Sequence, residues 1–533
     1  MRKVKNILFV LVDQLRWDYL SCYGHPHLHT PNIDWLAENG VRFERAYAQS
    51  PVCGPSRACI SSGRYMSSQG AMSNTDPISA SEKLMGEYLR PLGLRTAVIG
   101  KTDHRPDAQF FERFQIDPDS HVGKAIKHRD FDPVDLDNGL HPDPLFKPGL
   151  KYNAYLNAQG YEGKNPWMTW AQTVVDDNGD LRDGRIWSNS KYPSRLPDEH
   201  GESAYVTNQA IKFMQAQGDE PWCLQLGYYK PHWPYVANAP YHEMFPPETH
   251  LPINRTEAEF AGHPCLEVYH NLRLSKVFSK PGAREIIVTA YMGLVKQMDD
   301  HFGRLLTHMR KTGLLENTLI VFTSDHGDNL GDHWSGEKDL PYDCASKVPL
   351  IVYDPSTAAD STRGTAETRF AEHIDILPTF IEMVGGDPAE HRHRLEGRSL
   401  LPILHAEPTL EWRSHIISEF DFNLRDMATI LGTDYLQSRA YMIRDERWKY
   451  VLWEGYPPML FDMVNDPQEQ HDLGRSPDHA QIRTRCHEGI FTWLRNLKHR
   501  TTVTPKEASW RYGRDFEDRM GILIGWWDDD DDK

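Results

Sequence analysis

Residues 53–64 read CGPSRACISSGR. A reduced cysteine is usually a small buried apolar residue, yet Cys53 stands two positions before a proline, among polar and helix-starting residues. Pro55 fixes φ and suits the first turn of a helix. Cys53 then sits just before that helix, where backbone amides and the dipole favour negative charge. Arg57 follows one turn along the same face. This arrangement suits an anionic ligand or a developing negative charge. Polar side chains recur after short apolar runs: Asp13 and Gln14 after ILFVLV, Lys101 after TAVIG, Lys230, Pro231 and His232 after CLQLGYY, and Asp325 and His326 after LIVFTS.

These runs are nearly continuous in apolar residues, which predicts strands buried on both faces of a sheet. Helical spacing runs from about Arg284 to Thr312, with Lys and Arg near its end. Alternating β and α segments predict an α/β sandwich around a large, mostly parallel sheet. In such sheets ligands bind beyond the carboxyl ends of the strands, where Asp, Gln, Lys, His, Asp and His stand here. Residues 105–200 are rich in Asp, Gly, Asn and Pro and read as a long insertion that walls the pocket or meets a partner chain. After HIDILPTF at 373–380 the pattern changes. Tyr441 to Val451, followed by LFDMVNDPQEQHDL, predicts short antiparallel strands and turns ending on a helix. The expected division is a catalytic domain over 1–410 and a smaller α+β domain over 411–533.

Of the 533 residues, 39% are hydrophobic and 25% charged, enough for a large core and a soluble surface. The net charge of −17, from 59 basic and 76 acidic residues, disfavours nucleic acid and acidic membranes as partners. An anionic substrate therefore requires local positive charge. The seven cysteines are unpatterned, with neither zinc-ribbon nor disulfide-framework spacing, and point to a reducing, cytoplasmic compartment. The apolar run Ile7–Val12 is too short for most secretory signals and ends in Asp13, so it reads as a buried strand. No apolar stretch is long enough to span a membrane. The terminal DDDDDK reads as an appended protease-site string and carries no fold signal.

Over all twelve positions, Cys53 to Arg64 resembles the sulfatase signature C-x-P-S-R-x-x-x-x-[TS]-G-R. The resemblance extends along most of the chain. LFVLVDQLR is similar to the family's first metal-binding strand, GKTDH at 100–104 to its G-K-x-H segment, and PHWP at 231–234 to its P-H-x-P segment. Ser324 to Gly327 matches S-D-H-G, Lys338 in SGEKD matches a downstream lysine, and LFDMVNDPQE at 460–469 matches the carboxyl-terminal pattern. The chain resembles the sulfatase branch of the alkaline phosphatase superfamily, the group of formylglycine-dependent arylsulfatases and phosphonate monoester hydrolases.

This resemblance implies that a maturase, a formylglycine-generating enzyme or its equivalent, oxidises Cys53 to formylglycine. The hydrated aldehyde is then the nucleophile that divides one hard step into two. It implies one divalent metal held by Asp13, Gln14, Asp325, His326 and an oxygen derived from Cys53. Common sulfatases carry an all-oxygen set at these places, suited to Ca²⁺. The Gln and the imidazole here shift preference toward Mn²⁺ or Zn²⁺, and the same set resembles phosphonate monoester hydrolases. Arg57 is expected to stabilise the nucleophile, and Lys101 and Lys338 to hold anionic oxygens. His232 and Lys338 are assigned to the leaving group, and His104 to the second-step proton. Asp103 occupies the position at which the family has its His, so it is the alternative to His104. Asn74 is a substrate-oxygen donor or an Asx turn before Pro77. The activity implied is hydrolysis of small anionic esters, aryl sulfates foremost, with phosphonate monoesters and phosphodiesters as further or principal substrates. The contrasting possibility is an inactive anion-binding relative with unmodified Cys53. The aromatic tail WRYGRDFEDRMGILIGWW predicts a homodimer or homotetramer.

Overall fold

The computed structural model describes residues 4–512, apart from 144–148, 261, 409–410 and 424–425. The strands are β1 (Asn6–Val12), β2 (Val41–Tyr47), β3 (Arg95–Gly100), β4 (Asp132–Leu136), β5 (Thr173–Val175), β6 (Leu181–Asp183), β7 (Trp222–Tyr228), β8 (Thr318–Ser324), β9 (Lys347–Tyr353), β10 (Thr365–Glu367) and β11 (Ala371–Glu372). The large sheet runs in the order β10-β2-β9-β8-β1-β7-β3-β4, with β11 also on β2. β9 pairs antiparallel with β2 and β8; the other ladders of this sheet are parallel.

The continuous apolar runs have the predicted cause. Leu8, Val10 and Val12 of β1 belong to one core cluster, and Ile7, Phe9 and Leu11 to another. Successive side chains point to opposite faces, so β1 must be apolar at every position. The first face is covered by α1 (Pro31–Asn39), α3 (Glu202–Gln217) and α4 (Ala283–Lys311), the second by α2 (Cys53–Ser62) and α5 (Ile376–Met383). α4 spans the helical segment read near 284–312.

The central strands β8, β1, β7 and β3 end level with one another. Val12 is opposite Ser324 and Tyr228, and Gly100 is opposite Gly227. Their carboxyl ends thus deliver Asp13, Lys101, Tyr229 and Asp325 to one edge of the sheet.

The segment 105–200 is more integrated than an insertion. Its β4 extends the large sheet beside β3, and β5 and β6 form a separate hairpin. Weak periodicity concealed β4 because this edge strand, DPVDL, is mostly exposed. A second sheet, of strands β12 (Ile416–Asp421), β13 (Arg439–Arg444), β14 (Trp448–Trp453) and β15 (Met459–Asp462), is antiparallel in sequence order. One of its faces packs on α6 (Ala480–Asn496) through Ile490 and Trp493. The other joins Tyr47, Leu340 and Tyr342 of the main body in a common core. The aromatic tail beyond Tyr512 lies outside the described residues.

Candidate active site

Cys53 is the first residue of α2 and follows an extended Val52. Pro55 is its third residue, inside the first turn rather than at the first position, where its missing N–H is still one of the helix's unpaired donors. The Gly54 N–H donates to Asn74 Oδ1 at 2.7 Å. Asn74 therefore closes the amino end of α2 from a separate loop, instead of only making a local turn.

Ligating atoms of Asp13, Cys53, Asp325 and His326 all lie within 4.8 Å of one another, and all four residues are buried. Cys53 Sγ is 3.1 Å from His326 Nε2 and 3.7 Å from Asp13 Oδ1. His326 Nδ1 is bonded to the Gly327 carbonyl at 2.8 Å, which puts the proton on Nδ1 and leaves the Nε2 lone pair for the cluster. Burial, reinforced by Lys338 against the pull of Asp325, lowers this imidazole to about 4 and keeps it neutral. Burial pushes Asp13 up to about 7 despite Lys101, Arg57 and Lys338. The same burial acts on Asp325, but Arg57, Lys101 and the Gln14 N–H overcome it and hold that carboxyl well below the usual range. Burial also pushes the Cys53 thiol up to about 12, so the unmodified side chain is a protonated, poor nucleophile.

Four carboxylates, Asp13, Asp103, Asp325 and Glu337, stand among three cations, Arg57, Lys101 and Lys338. Arg57 Nε donates to Asp325 Oδ2 at 2.8 Å and Nη1 to the Lys101 carbonyl at 2.9 Å. Among the described residues its buried Nη2 has no hydrogen-bond partner, and it lies 3.9 Å from Asp13 Oδ1. Lys101 Nζ lies 2.6 Å from Asp13 and 2.9 Å from Asp103. Lys338 is 3.4 Å from Glu337. The lysines and Arg57 are thus balanced by acids, and they do not by themselves supply the local positive charge that an anionic substrate needs. A divalent cation among two carboxylates and a free imidazole nitrogen would supply it, so the residues fit a metal.

Gln14 takes the left-handed conformation, φ 63°. Its N–H donates to Asp325 Oδ1 at 3.0 Å. Its Nε2 donates to Asp328 in a short bond, while Oε1 accepts from Lys338 Nζ at 2.7 Å. Gln14 therefore adjoins the cluster, with its oxygen engaged by Lys338. Lys338 Nζ is also 3.0 Å from His232 Nε2, and His232 Nδ1 bonds the Trp233 carbonyl at 2.6 Å. Lys338 is consequently the donor and His232 Nε2 the acceptor. Burial, then Lys338 and Lys101, push His232 well below its ordinary value.

His104 is not brought to this cluster. It pairs with Asp130 at 3.1 Å and approaches Ser61 at 3.5 Å, two turns along α2 from Cys53. Asp103 has φ 56° and turns its carboxylate to Lys101, 4.0 Å from Arg57. Of the two alternatives, Asp103 is the one that lies against Lys101, and His104 stands apart with Asp130. Sequence reading missed Asp328, which fixes the Gln14 amide and accepts from Tyr235 at 2.9 Å. Its place two residues after His326 was the available signal. It also missed Tyr229, whose ring lies 5.6 Å from Lys101 Nζ.

Comparison with known proteins agrees with this architecture. The Sulfatase family model matches residues 5–386, and that of the N-sulphoglucosamine sulphohydrolase C-terminal region matches 331–495. The multifunctional alkaline phosphatase superfamily protein PehA of Trinickia caryophylli is 30% identical over 530 residues, covering 93% of this chain and 96% of that one. An arylsulfatase of Clostridium perfringens is 26% identical, covering 89% and 91%. Among solved structures, the phosphonate monoester hydrolase SpPMH from Silicibacter pomeroyi aligns with a TM-score of 0.81 at 27% identity, covering 94% of this chain and 97% of that one. The phosphonate monoester hydrolase of Agrobacterium radiobacter aligns at 0.78 and 26%, covering 92% and 95%. With the family model covering most of its length, this chain belongs to the sulfatase family of the alkaline phosphatase superfamily, as a hydrolase of sulfate or phosphonate esters.

Proposed function

We propose that the protein is an arylsulfatase-type hydrolase of sulfate monoesters that also cleaves phosphonate monoesters and phosphodiesters. The observation that carries this reading is the buried cluster of Asp13, Cys53, Asp325 and His326, with Lys338 and His232 beside it. Cys53, converted by a formylglycine-generating maturase, would supply a hydrated aldehyde as nucleophile. Asp13, Asp325 and His326, with Gln14 once its oxygen is released by Lys338, would hold one divalent ion, Mn²⁺ or Zn²⁺ before Ca²⁺, as a Lewis acid.

The chain's own residues have distinct tasks. Arg57 fixes Asp325 and the Lys101 carbonyl, and its Nη2, without a hydrogen bond among the described residues and 3.9 Å from Asp13, is a donor for an anionic oxygen. Lys101 holds Asp13 and Asp103 in place and is the second such donor. Lys338 carries the proton nearest the leaving oxygen, and His232 orients it by accepting at Nε2. Asp103 is the acceptor for the second-step proton, in place of His104. Asn74 holds the amino end of α2 and leaves its amide N–H group for substrate oxygen. An inactive anion-binding protein would have no need of a buried metal-ligand set.

The structural similarity to two phosphonate monoester hydrolases favours phosphonates as a second principal substrate class. The test is a panel of aryl sulfates and phenyl phosphonates on enzyme loaded in turn with Mn²⁺, Zn²⁺ and Ca²⁺. Peptide mass spectrometry on the same sample should show Cys53 lighter by about 18 Da, a thiol replaced by an aldehyde. Activity toward neither ester class with Cys53 converted, or full activity with Cys53 still a thiol, rejects the reading. We further propose cytoplasmic residence, supported by seven unpaired cysteines, and a homodimer or homotetramer. Among the described residues no helix is long and apolar enough to cross a membrane.

A further inference from the structure

A cavity of about 990 Å³ is lined in part by Trp233, the residue after His232, and contains none of the cluster's ligands. Ile186, Trp187, Trp233, Leu274, Val277 and Ile287 are among its lining residues, and its walls are mainly apolar. Arg185, Arg273 and Lys280 also line it, and Arg185 is paired with Asp183 at 2.7 Å.

Three contacts tie this cavity to the site. Trp233 follows His232 in the chain, with ring centroids 5.1 Å apart. Leu274 and Phe278 press on Gly336, two residues before Lys338: a Cβ there would meet the Leu274 carbonyl at 2.5 Å and Phe278 at 2.7 Å. Trp187 packs edge-on against Tyr235, whose hydroxyl donates to Asp328, the partner of Gln14. All three lead to His232, Lys338 and Gln14. Trp233 also accepts at its carbonyl from the Tyr229 hydroxyl at 2.7 Å, and that ring lies 5.6 Å from Lys101 Nζ.

We propose that this cavity receives the leaving group of the substrate, and that the preferred esters carry an apolar leaving group larger than a single ring. The proposal rests on the reading above, in which Lys338 and His232 face the leaving oxygen; the carbon skeleton attached to that oxygen then extends past Trp233. The volume is at the upper end of the range for small-molecule sites. Trp233 and Trp187 are specificity-determining residues on this account, and the segment 183–188 forms one wall.

The test compares a phenyl-type with a naphthyl-type sulfate ester whose leaving alcohols are matched in acidity, so that only size differs. The larger ester should be favoured in kcat/KM by about tenfold or more. Ala283→Trp and Val277→Phe, which fill the cavity, should each abolish that ratio, with thermal unfolding used to check that each is folded. Calorimetric titration of free naphthol into the wild-type protein should show binding that both variants weaken. If naphthol binds but neither ester is cleaved, the ester chemistry fails while the cavity stands as an apolar ligand site. If both esters are cleaved with a ratio near one that the variants do not change, the cavity proposal is overturned. A change in particle mass on filling the cavity, with the ratio unchanged, also overturns it and assigns this surface to a subunit contact.

Discussion

His232 and Lys338 look interchangeable in the sequence, since either can protonate an oxygen. The hydrogen bonds separate them. His232 spends its Nδ1 proton on the Trp233 carbonyl and offers only a lone pair to Lys338. Lys338, raised above its ordinary value because acids such as Glu337 and Asp13 outweigh its burial, carries the proton. Lys338→Ala should therefore lower kcat/KM by about 10²–10⁴ for poor leaving groups and much less for good ones, steepening the dependence on leaving-group pKa. His232→Ala should steepen it less, because it removes orientation and not the donor. Lys101→Ala should cost nearly the same factor across the series. A series of aryl sulfates of graded acidity measures all three, and equal losses at every leaving group would falsify the division of roles.

At the scale of elements, two glycines set how closely β3 and β7 approach at the site. A Cβ on Gly227 would meet the Lys101 nitrogen and carbonyl oxygen at 2.7 and 2.6 Å. Gly100, at φ 90°, faces the Gly227 carbonyl at 2.0 Å from its own would-be Cβ. Gly227→Ala must displace the backbone that carries Lys101. We expect a stability loss of about 1–3 kcal/mol, readable by denaturant unfolding, and a fall in kcat larger than the change in stability explains. Undiminished turnover would show that Lys101 tolerates the shift.

A second element-scale case is Glu419 of β12, which accepts from the Ser67 N–H at 3.0 Å and also from its hydroxyl, joining the small sheet to the main body. Burial raises this carboxyl from 4.5 to about 7 against the pull of the Ser67 bonds. A raised acid binds its proton more tightly when folded, so its contribution is greatest below pH about 4.5 and declines as pH rises to about 7. Glu419→Gln should remove that slope. Relative to wild type the variant should gain up to about 3 kcal/mol by pH 8 and nothing near pH 4. A wild-type-minus-variant stability difference that is flat across this range would reject the titration.

On the scale of the whole molecule, a net charge of −17 surrounds a site whose own acids and bases nearly cancel. Attraction of an anion thus falls to the proposed metal ion and to Arg57 Nη2, and long-range steering is unfavourable. Substrate KM should fall as ionic strength screens that repulsion, so rate measurements need matched salt. Exposed Val464 and Phe491 of the small domain, 64% and 55% accessible, are apolar surface that assembly would cover. Light scattering should give a multiple of 61.5 kDa at micromolar concentration; a monomer would reject assembly.

The sequence alone determined the strands and the chemistry that follows them. A strand buried on both faces needs apolar residues at every position, and a polar residue directly after such a run must lie at the sheet's edge; Asp13, Lys101 and Asp325 were legible for that reason. The Cys53–Arg64 signature was legible because its residues are contiguous, and the structure sets Cys53 at the first position of α2. What the sequence left open was decided between distant segments. Asp103 and His104 are adjacent, and only the left-handed turn at Asp103, together with Asp130, decides which of them meets Lys101. Gln14 and Lys338 are 324 positions apart, and their bond sets the amide's orientation. β4 was hidden because an exposed edge strand has no apolar pattern to display. Local spacing fixes what a residue can do chemically, whereas partners brought together by the sheet's topology fix its protonation, its orientation and the groups it serves.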